Sequence, residues 1–152
     1  MKKTTLLLAS LGLFLFSSCS SDDNSTNVEP QPVNHLLGSW KLNTMSIKLS
    51  QDGQVISEQI DAPVGNQVTW EYKFNEDLTV EYYIDTENFS ENSAGTYSLN
   101  GSYITIVLDG EPETFEITTL NEENLHLKFN QELEVEQGTI LTMEMEQKFI
   151  RL

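Results

Sequence analysis

The chain has 152 residues and sets 24 acidic side chains against 8 basic ones, a formal charge of −16 at neutral pH. A surface of that sign repels phosphate backbones and anionic headgroups, which argues against nucleic-acid binding and against electrostatic adsorption to a membrane. With a single cysteine the chain has no internal disulfide, so its fold rests on core packing and hydrogen-bonded ladders.

Lys2 and Lys3 precede an apolar run from Leu6 to Phe16, followed by Ser17, Ser18 and Cys19. A basic start, a short greasy segment and small residues before a cleavage point read as a secretory signal. The run of 11 residues is too short to remain as a helix across a bilayer, which needs about 20. Phe16-Ser17-Ser18-Cys19 resembles the lipobox of bacterial lipoproteins, with Phe16 where an aliphatic residue is usual. The resemblance implies removal of residues 1–18 and lipidation of Cys19. An ordinary secretory signal with an incidental cysteine is the alternative; the sole cysteine standing where the small residues end favours the lipid. The mature chain would then hold 6 basic and 24 acidic residues, a charge of −18. Its attachment to a membrane would come from the acyl chains alone, and more than one chain gives a stable anchor.

Residues 19–36 read as a lipidated, flexible tether: polar, interrupted by Pro30 and Pro32, and without an apolar period. Asp22-Asp23 after the lipidated cysteine resembles the acidic export signal of surface lipoproteins in Bacteroidetes. The expected location is the bacterial outer membrane, with the domain facing the cell surface or otherwise the periplasm.

From residue 37 to 152 the period is two. Val68, Trp70, Tyr72 and Phe74 alternate with polar neighbours, as do Leu78, Val80, Tyr82 and Ile84, then Phe115 and Ile117, then Leu125, Leu127 and Phe129. Leu141, Met143, Met145 and Phe149 complete the set. Strict alternation marks strands with one face buried and one wet. Asp52-Gly53, Asn75-Glu76-Asp77, Asn100-Gly101, Asp109-Gly110 and Gln137-Gly138 supply the turns between them. Strands are expected near 38–49, 54–60, 67–74, 78–84, 95–99, 102–108, 113–119, 124–134 and 139–150. The fold class is all-β: an antiparallel up-and-down meander that removes its edges by closing into a barrel of eight to ten strands. Antiparallel closure requires an even number, and 54–60 is the segment least like a barrel strand. Such a barrel is either filled by side chains or holds one small ligand.

Leu37-Gly38-Ser39-Trp40-Lys41-Leu42 resembles the Gly-x-Trp opening of lipocalins. Tyr72 to Val80, Gly95 to Ile106 and the late Leu125-His126-Leu127 strand are similar to the lipocalin-like lipoproteins of Bacteroidetes. The resemblance implies a calyx for a small, mainly apolar molecule. It also implies a structural set of Gly38, Trp40 and Arg151, in which a late basic side chain lies across the opening tryptophan. Arg151 shares parity with Met143, Met145 and Phe149, whereas Lys148 points outward.

Catalytic chemistry finds little support. His35 lies in the tether and His126 alternates with Leu125 and Leu127, so it faces solvent, with no serine or carboxylate placed to form a triad. Glu132, Glu134, Glu136, Glu144 and Glu146 fall on outward parities, as a solvated face rather than a pair of glycosidase carboxylates. Asp109-Gly110-Glu111-Pro112-Glu113 and Asp85-Thr86-Glu87 lack the spacing of a calcium loop. No cofactor or metal is expected, and the chain reads as a binding protein rather than an enzyme. Aromatic side chains with polar tips suit a ligand pocket, and the candidates are Trp70, Tyr72, Tyr82, Tyr97, Phe115 and Phe129, most of which would serve equally as ordinary core. Phe89 joins them because 85–94 reads as the longest link, where adaptable binding residues concentrate. The rival expectation is a solid barrel that binds an envelope protein through its outer face, where Tyr83 and Tyr103 point. Changing Cys19 to Ala is expected to move the protein from the washed membrane pellet to the soluble fraction; a variant that still pellets after normal processing would refute the lipid anchor.

Overall fold

The computed structural model describes residues 35–136 and 139–152. The signal and tether through residue 34, with Cys19, and the turn at 137–138 lie outside the described residues, as does the side chain of Glu136. Among the described residues nine strands are present: β1 Gly38–Gln51, β2 Gln54–Pro63, β3 Thr69–Phe74, β4 Thr79–Thr86, β5 Phe89–Asn100, β6 Tyr103–Leu108, β7 Glu111–Leu120, β8 Asn124–Glu136 and β9 Thr139–Arg151. All pairings are antiparallel. The order is β2-β1-β3-β4-β5-β6-β7-β8-β9, with β1 also bonded to β9. Eight strands therefore close into an up-and-down barrel, and β2 is left outside the ring.

Why β2 stays out follows from its sequence. Gln54, Ser57 and Gln59 pair with Gln51, Leu49 and Ile47 and so share their inward face. Those positions are polar, and β2 is exposed along almost its whole length; closing it into the ring would bury amides and a hydroxyl without partners. β1 passes one edge from β3, at Gly38–Lys41, to β2 at Thr44–Gln51. β8 likewise bonds β7 only through Leu125–Lys128 but bonds β9 along its full length. The long strands β1, β8 and β9 thus carry a four-stranded extension, β2-β1-β9-β8, past the six-residue β3 and β6.

Three stretches differ from the sequence expectation. The segment 85–94 is not a long loop: Thr86 pairs with Phe89 across a two-residue turn, and Asp85, Ile84 and Tyr83 continue the ladder onto Ser90, Glu91 and Asn92. Its inward positions on β5 are Glu91, Ser93 and Gly95, so no apolar alternation marks the strand. Leu78 belongs to the turn before β4, with φ 64 and half of its surface exposed at 49%. The β5–β6 turn also sits one residue later than read. Asn100 pairs with Tyr103 and Gly101 takes the positive φ, of 60. By contrast, Asp52-Gly53 and Asp109-Gly110 both adopt positive φ at each position, as a two-residue hairpin with matching twist requires.

The core is densest at the end where β1 begins and β9 finishes. Leu36, Trp40, Phe74, Val80, Ile104, Leu125 and Phe149 are buried there, and Tyr97 donates its hydroxyl proton to the Asn75 carbonyl at 2.9 Å. The Trp40 indole N–H donates to the Leu36 carbonyl at 2.7 Å, which seats Leu36 in the core although the sequence reads it as the last tether residue. Arg151 seals this end. Its guanidinium carbon lies 4.2 Å from the Trp40 ring centre, Nη1 donates to the Leu37 carbonyl at 2.7 Å, and Nε and Nη2 donate to the carbonyls of Glu122 and His35. Gly38 has φ +116, and a Cβ there would stand 2.7 Å from Arg151 Nη1, so only glycine leaves room for the clasp. Gly95 has a second steric duty, since a Cβ would come within 1.8 Å of the Val107 carbonyl oxygen.

A cation–π contact contributes ~0.5–2 kcal/mol, and a hydrogen bond to a charged group about 1.5–3 kcal/mol. Arg151→Met is therefore expected to lower the unfolding free energy by about 3 kcal/mol, with Arg151→Lys recovering little because an ammonium cannot span three carbonyls. Urea unfolding measures it; a loss under about 1 kcal/mol would show that the clasp does not hold the barrel shut.

Candidate functional site

The interior changes character from the sealed end to the open one. A row of rings runs along it. Tyr97 meets Phe74 edge-on at 5.1 Å, Phe74 stacks on Tyr72 at 5.8 Å, Tyr72 tilts against Tyr82 at 5.3 Å, and Tyr82 meets Trp70 edge-on at 6.1 Å. Its first members are buried. The last, Trp70 and Tyr82, are partly exposed and wall a cavity of ≈ 320 Å³ lined also by Tyr72, Glu91, Ile106, Leu108, Glu111 and Glu113.

The carboxylates are there by register. Ile106 pairs with Glu113 and Leu108 with Glu111, so β7 presents both glutamates on the face that carries Phe115. Ile84 pairs with Glu91, which puts that side chain on the inward face of β5 with Tyr97. Burial pushes the Tyr72 phenol well above its ordinary value, with the Tyr82 ring and the Glu113 charge adding to the shift. The Tyr82 phenol is also raised, first by burial and then by the charges of Glu91 and Glu113. Among the described residues two buried polar atoms face inward without a hydrogen bond of good geometry, Trp70 Nε1 and Gln147 Oε1. The Trp70 N–H nonetheless approaches the Tyr72 hydroxyl closely enough to favour its ionised form slightly. Gln147 is only 2% exposed and shares its face with Leu127 and Met45.

Of the aromatic candidates, Trp70, Tyr72 and Tyr82 come together at this cavity. Tyr97 and Phe115 are buried in the core, and Phe129 packs on Phe115 at 5.8 Å. Phe89 opens β5 at the rim and is 52% exposed, outside the cavity lining. Glu91, Glu111, Glu113, Ile106 and Leu108 were not among the expected lining residues. The signal existed, because counting back by twos from Phe115 reaches Glu113 and Glu111, and from Tyr97 reaches Glu91.

A second cleft of ≈ 320 Å³ lies along the extension, lined by Ser46, Lys48, Glu58, Ile60, Thr118, Lys128, Glu144 and Glu146 among others. Its charges satisfy one another: Lys48 and Lys128 reach Glu144 at 2.8 and 3.4 Å, and Thr118 donates to Glu146 at 2.8 Å. A ligand would have to break those pairs, so the barrel mouth is the better candidate.

The Lipocalin-like domain family matches residues 36–127, and the chain belongs to that family. No protein of curated function matches it. Among solved structures it resembles a lipocalin-like protein from Bacteroides uniformis ATCC 8492, at 18% identity over 78% of this chain and 99% of that one, with a TM-score of 0.49. It also resembles an uncharacterized protein from Bacteroides eggerthii DSM 20697, at 17% identity over 77% and 99% of the two chains and a TM-score of 0.45. A third likeness is to bovine odorant binding protein in complex with a selenium-containing odorant, at 14% identity over 90% and 77%, with a TM-score of 0.46.

His126 sits on the outer face, paired with Thr119 and Lys148 and away from the cavity. Burial holds its imidazole below the ordinary value of 6.5; Lys148 acts the same way, and Glu146 and Asp61 oppose it. A histidine whose folded pKa lies below its unfolded one binds its proton more readily in the unfolded chain. Stability is thus complete above the unfolded value and falls as pH drops through the folded one. Asp61, Asp77, Glu81 and Glu144 are held low by hydrogen bonds from Lys148, Thr79, Lys73 and Lys48, respectively. Those carboxylates lose their contribution only at lower pH, below about 4.5. Between about pH 7 and pH 5 the urea midpoint should fall, and His126→Gln should flatten that fall; an unchanged slope would mean another group titrates there.

Proposed function

We propose that this is a non-enzymatic binding protein that holds one small amphipathic molecule in the open half of its barrel. We propose further that lipid on Cys19 tethers it to the bacterial outer membrane, with the domain at the cell surface. The observation that carries the binding reading is the half-exposed aromatic cavity of Trp70, Tyr72 and Tyr82 above a sealed base. A barrel made only to be stable would continue its packed rings to the rim, whereas here the inward positions turn acidic and leave room. The anchor reading rests on the lipobox-like segment. No helix among the described residues is long and apolar enough to cross a membrane.

One observation favours a second reading, docking to an envelope protein. Outside the barrel, β2 exposes Val55, Ile56 and Ile60, the last at 68%, and Tyr83 and Tyr103 are exposed on the outer wall. The two readings separate by mass. Native mass spectrometry of gently released protein is expected to show a bound small molecule. Leu108→Trp, which fills the cavity, should abolish it while the urea midpoint holds. Protein that carries no small molecule but co-elutes with a partner would replace the first reading with the second.

A further inference from the structure

We infer that the molecule taken at the barrel mouth is an organic cation with an apolar tail, its charged head held between the Glu91, Glu111 and Glu113 carboxylates and the rings of Trp70 and Tyr82. The inference rests on the cavity reading above and names its ligand class.

The first support is the shape of the aromatic wall. Trp70 and Tyr82 stand at 84° to each other, and Tyr72 is tilted by 43° from Tyr82. Rings set at angles around one space form a corner, and aromatic corners attract ammonium groups through the negative faces of their π systems.

The second is the charge left over. No lysine, arginine or histidine lines the cavity, and none of its three glutamates forms an ion pair with a described residue. Elsewhere most of the described basic side chains are occupied: Lys48, Lys128 and Lys148 by Glu144, Glu146 and Asp61, Lys73 by Glu81, and Arg151 by the closing clasp, while Lys41 lines a separate cleft with Asn43 and Val64. An anionic head would meet unopposed like charge over a low-dielectric wall and be rejected. A cation meets complementary charge and is concentrated toward the mouth by the field of the whole acidic chain.

The third is spacing. No three His, Cys, Asp or Glu side chains among the described residues converge closely enough to ligate a metal ion. Carboxylates spread around a rim suit a diffuse charge such as a substituted ammonium, which binds by proximity rather than by a fixed coordination shell. The apolar tail would then lie against Ile106, Leu108 and Tyr72, deeper in the same cavity.

Three probes of equal tail length test this: octyltrimethylammonium, 1-octanol and octanesulfonate. Each is titrated into the full chain while Trp70 emission is followed; Trp40 is wholly buried beneath Arg151 and serves as a silent background. The cation should bind about tenfold tighter than the alcohol, as one favourable charge contact would give, and the sulfonate should not bind. Glu111→Gln/Glu113→Gln, nearly isosteric and at exposed positions, should abolish the preference and leave alcohol binding in place. Glu122→Gln/Glu123→Gln removes the same charge at the sealed end and should change nothing. If cation and alcohol bind equally, the cavity reading stands and the cation inference falls. It falls too if the preference survives in the rim variant or disappears in the control. If no probe shifts Trp70 emission, both readings fall together.

Discussion

The contact between Arg151 and Trp40 is the constraint on which the rest depends. One guanidinium covers the indole and ties together three carbonyls, from His35 and Leu37 before the first strand and from Glu122 between β7 and β8. The two ends of the domain are thereby locked to each other across the β1–β9 ladder, where Trp40 pairs with Arg151 directly. A meander of nine strands could have stayed open at both edges. This clasp selects the ring of eight by requiring that the first and last strands be neighbours at the same end. It also makes that end solid, and the cavity of Trp70, Tyr72 and Tyr82 lies toward the opposite end.

Charge is distributed to match. Most of the described cations of this acidic chain hold structure: Arg151 at the base, Lys73 on Glu81, and three lysines on the outer wall where β1, β8 and β9 carry Lys48, Lys128, Glu144, Glu146 and Lys148. Lys148 reaches Asp61 on β2 and so pins the extra strand to the wall. These surface pairs are each worth little. Their collective effect is positional, because they keep positive charge away from the mouth. The field there is set by Glu91, Glu111 and Glu113 without local opposition.

Much of this was legible in the sequence. Period-two alternation located the strands, and the parity of Arg151 with Phe149 and Met145 identified the side chain that faces the opening tryptophan. The segment 54–60 was the one least like a barrel strand, and the register shows why, with Gln54, Ser57 and Gln59 on the inward face. What could not be read was wherever inward positions cease to be apolar. Ile84, Glu91, Ser93 and Gly95 face the same interior, yet only the first looks like a core residue, so β5 lost its first half to an imagined loop. Glu111 and Glu113 were read only as part of a segment without calcium-loop spacing, and their inward parity with Phe115 was not counted. Gln147 was passed over between Met145 and Phe149 although it is among the most buried residues of the domain. Sequence periodicity reports burial in apolar surroundings, and it falls silent where a fold admits polar groups to its interior.

That silence is informative. On the barrel's inner face β7 and β5 carry carboxylates at Glu111, Glu113 and Glu91, at positions that stay exposed around the mouth. Gln147 and Trp70 each keep a buried polar atom without a good partner, at a cost of about 1–3 kcal/mol. None of these residues holds the barrel together, since the sealed half is apolar and complete without them. Residues that weaken a fold and yet sit together on its inner face are those most in need of a reason beyond folding. Trp70 and the three glutamates lie together around a cavity with aromatic walls and acidic edges, whereas Gln147 lies outside that lining, against Leu127 and Met45. The cavity residues are the ones whose placement a proposed guest with a charged head and an apolar body would account for.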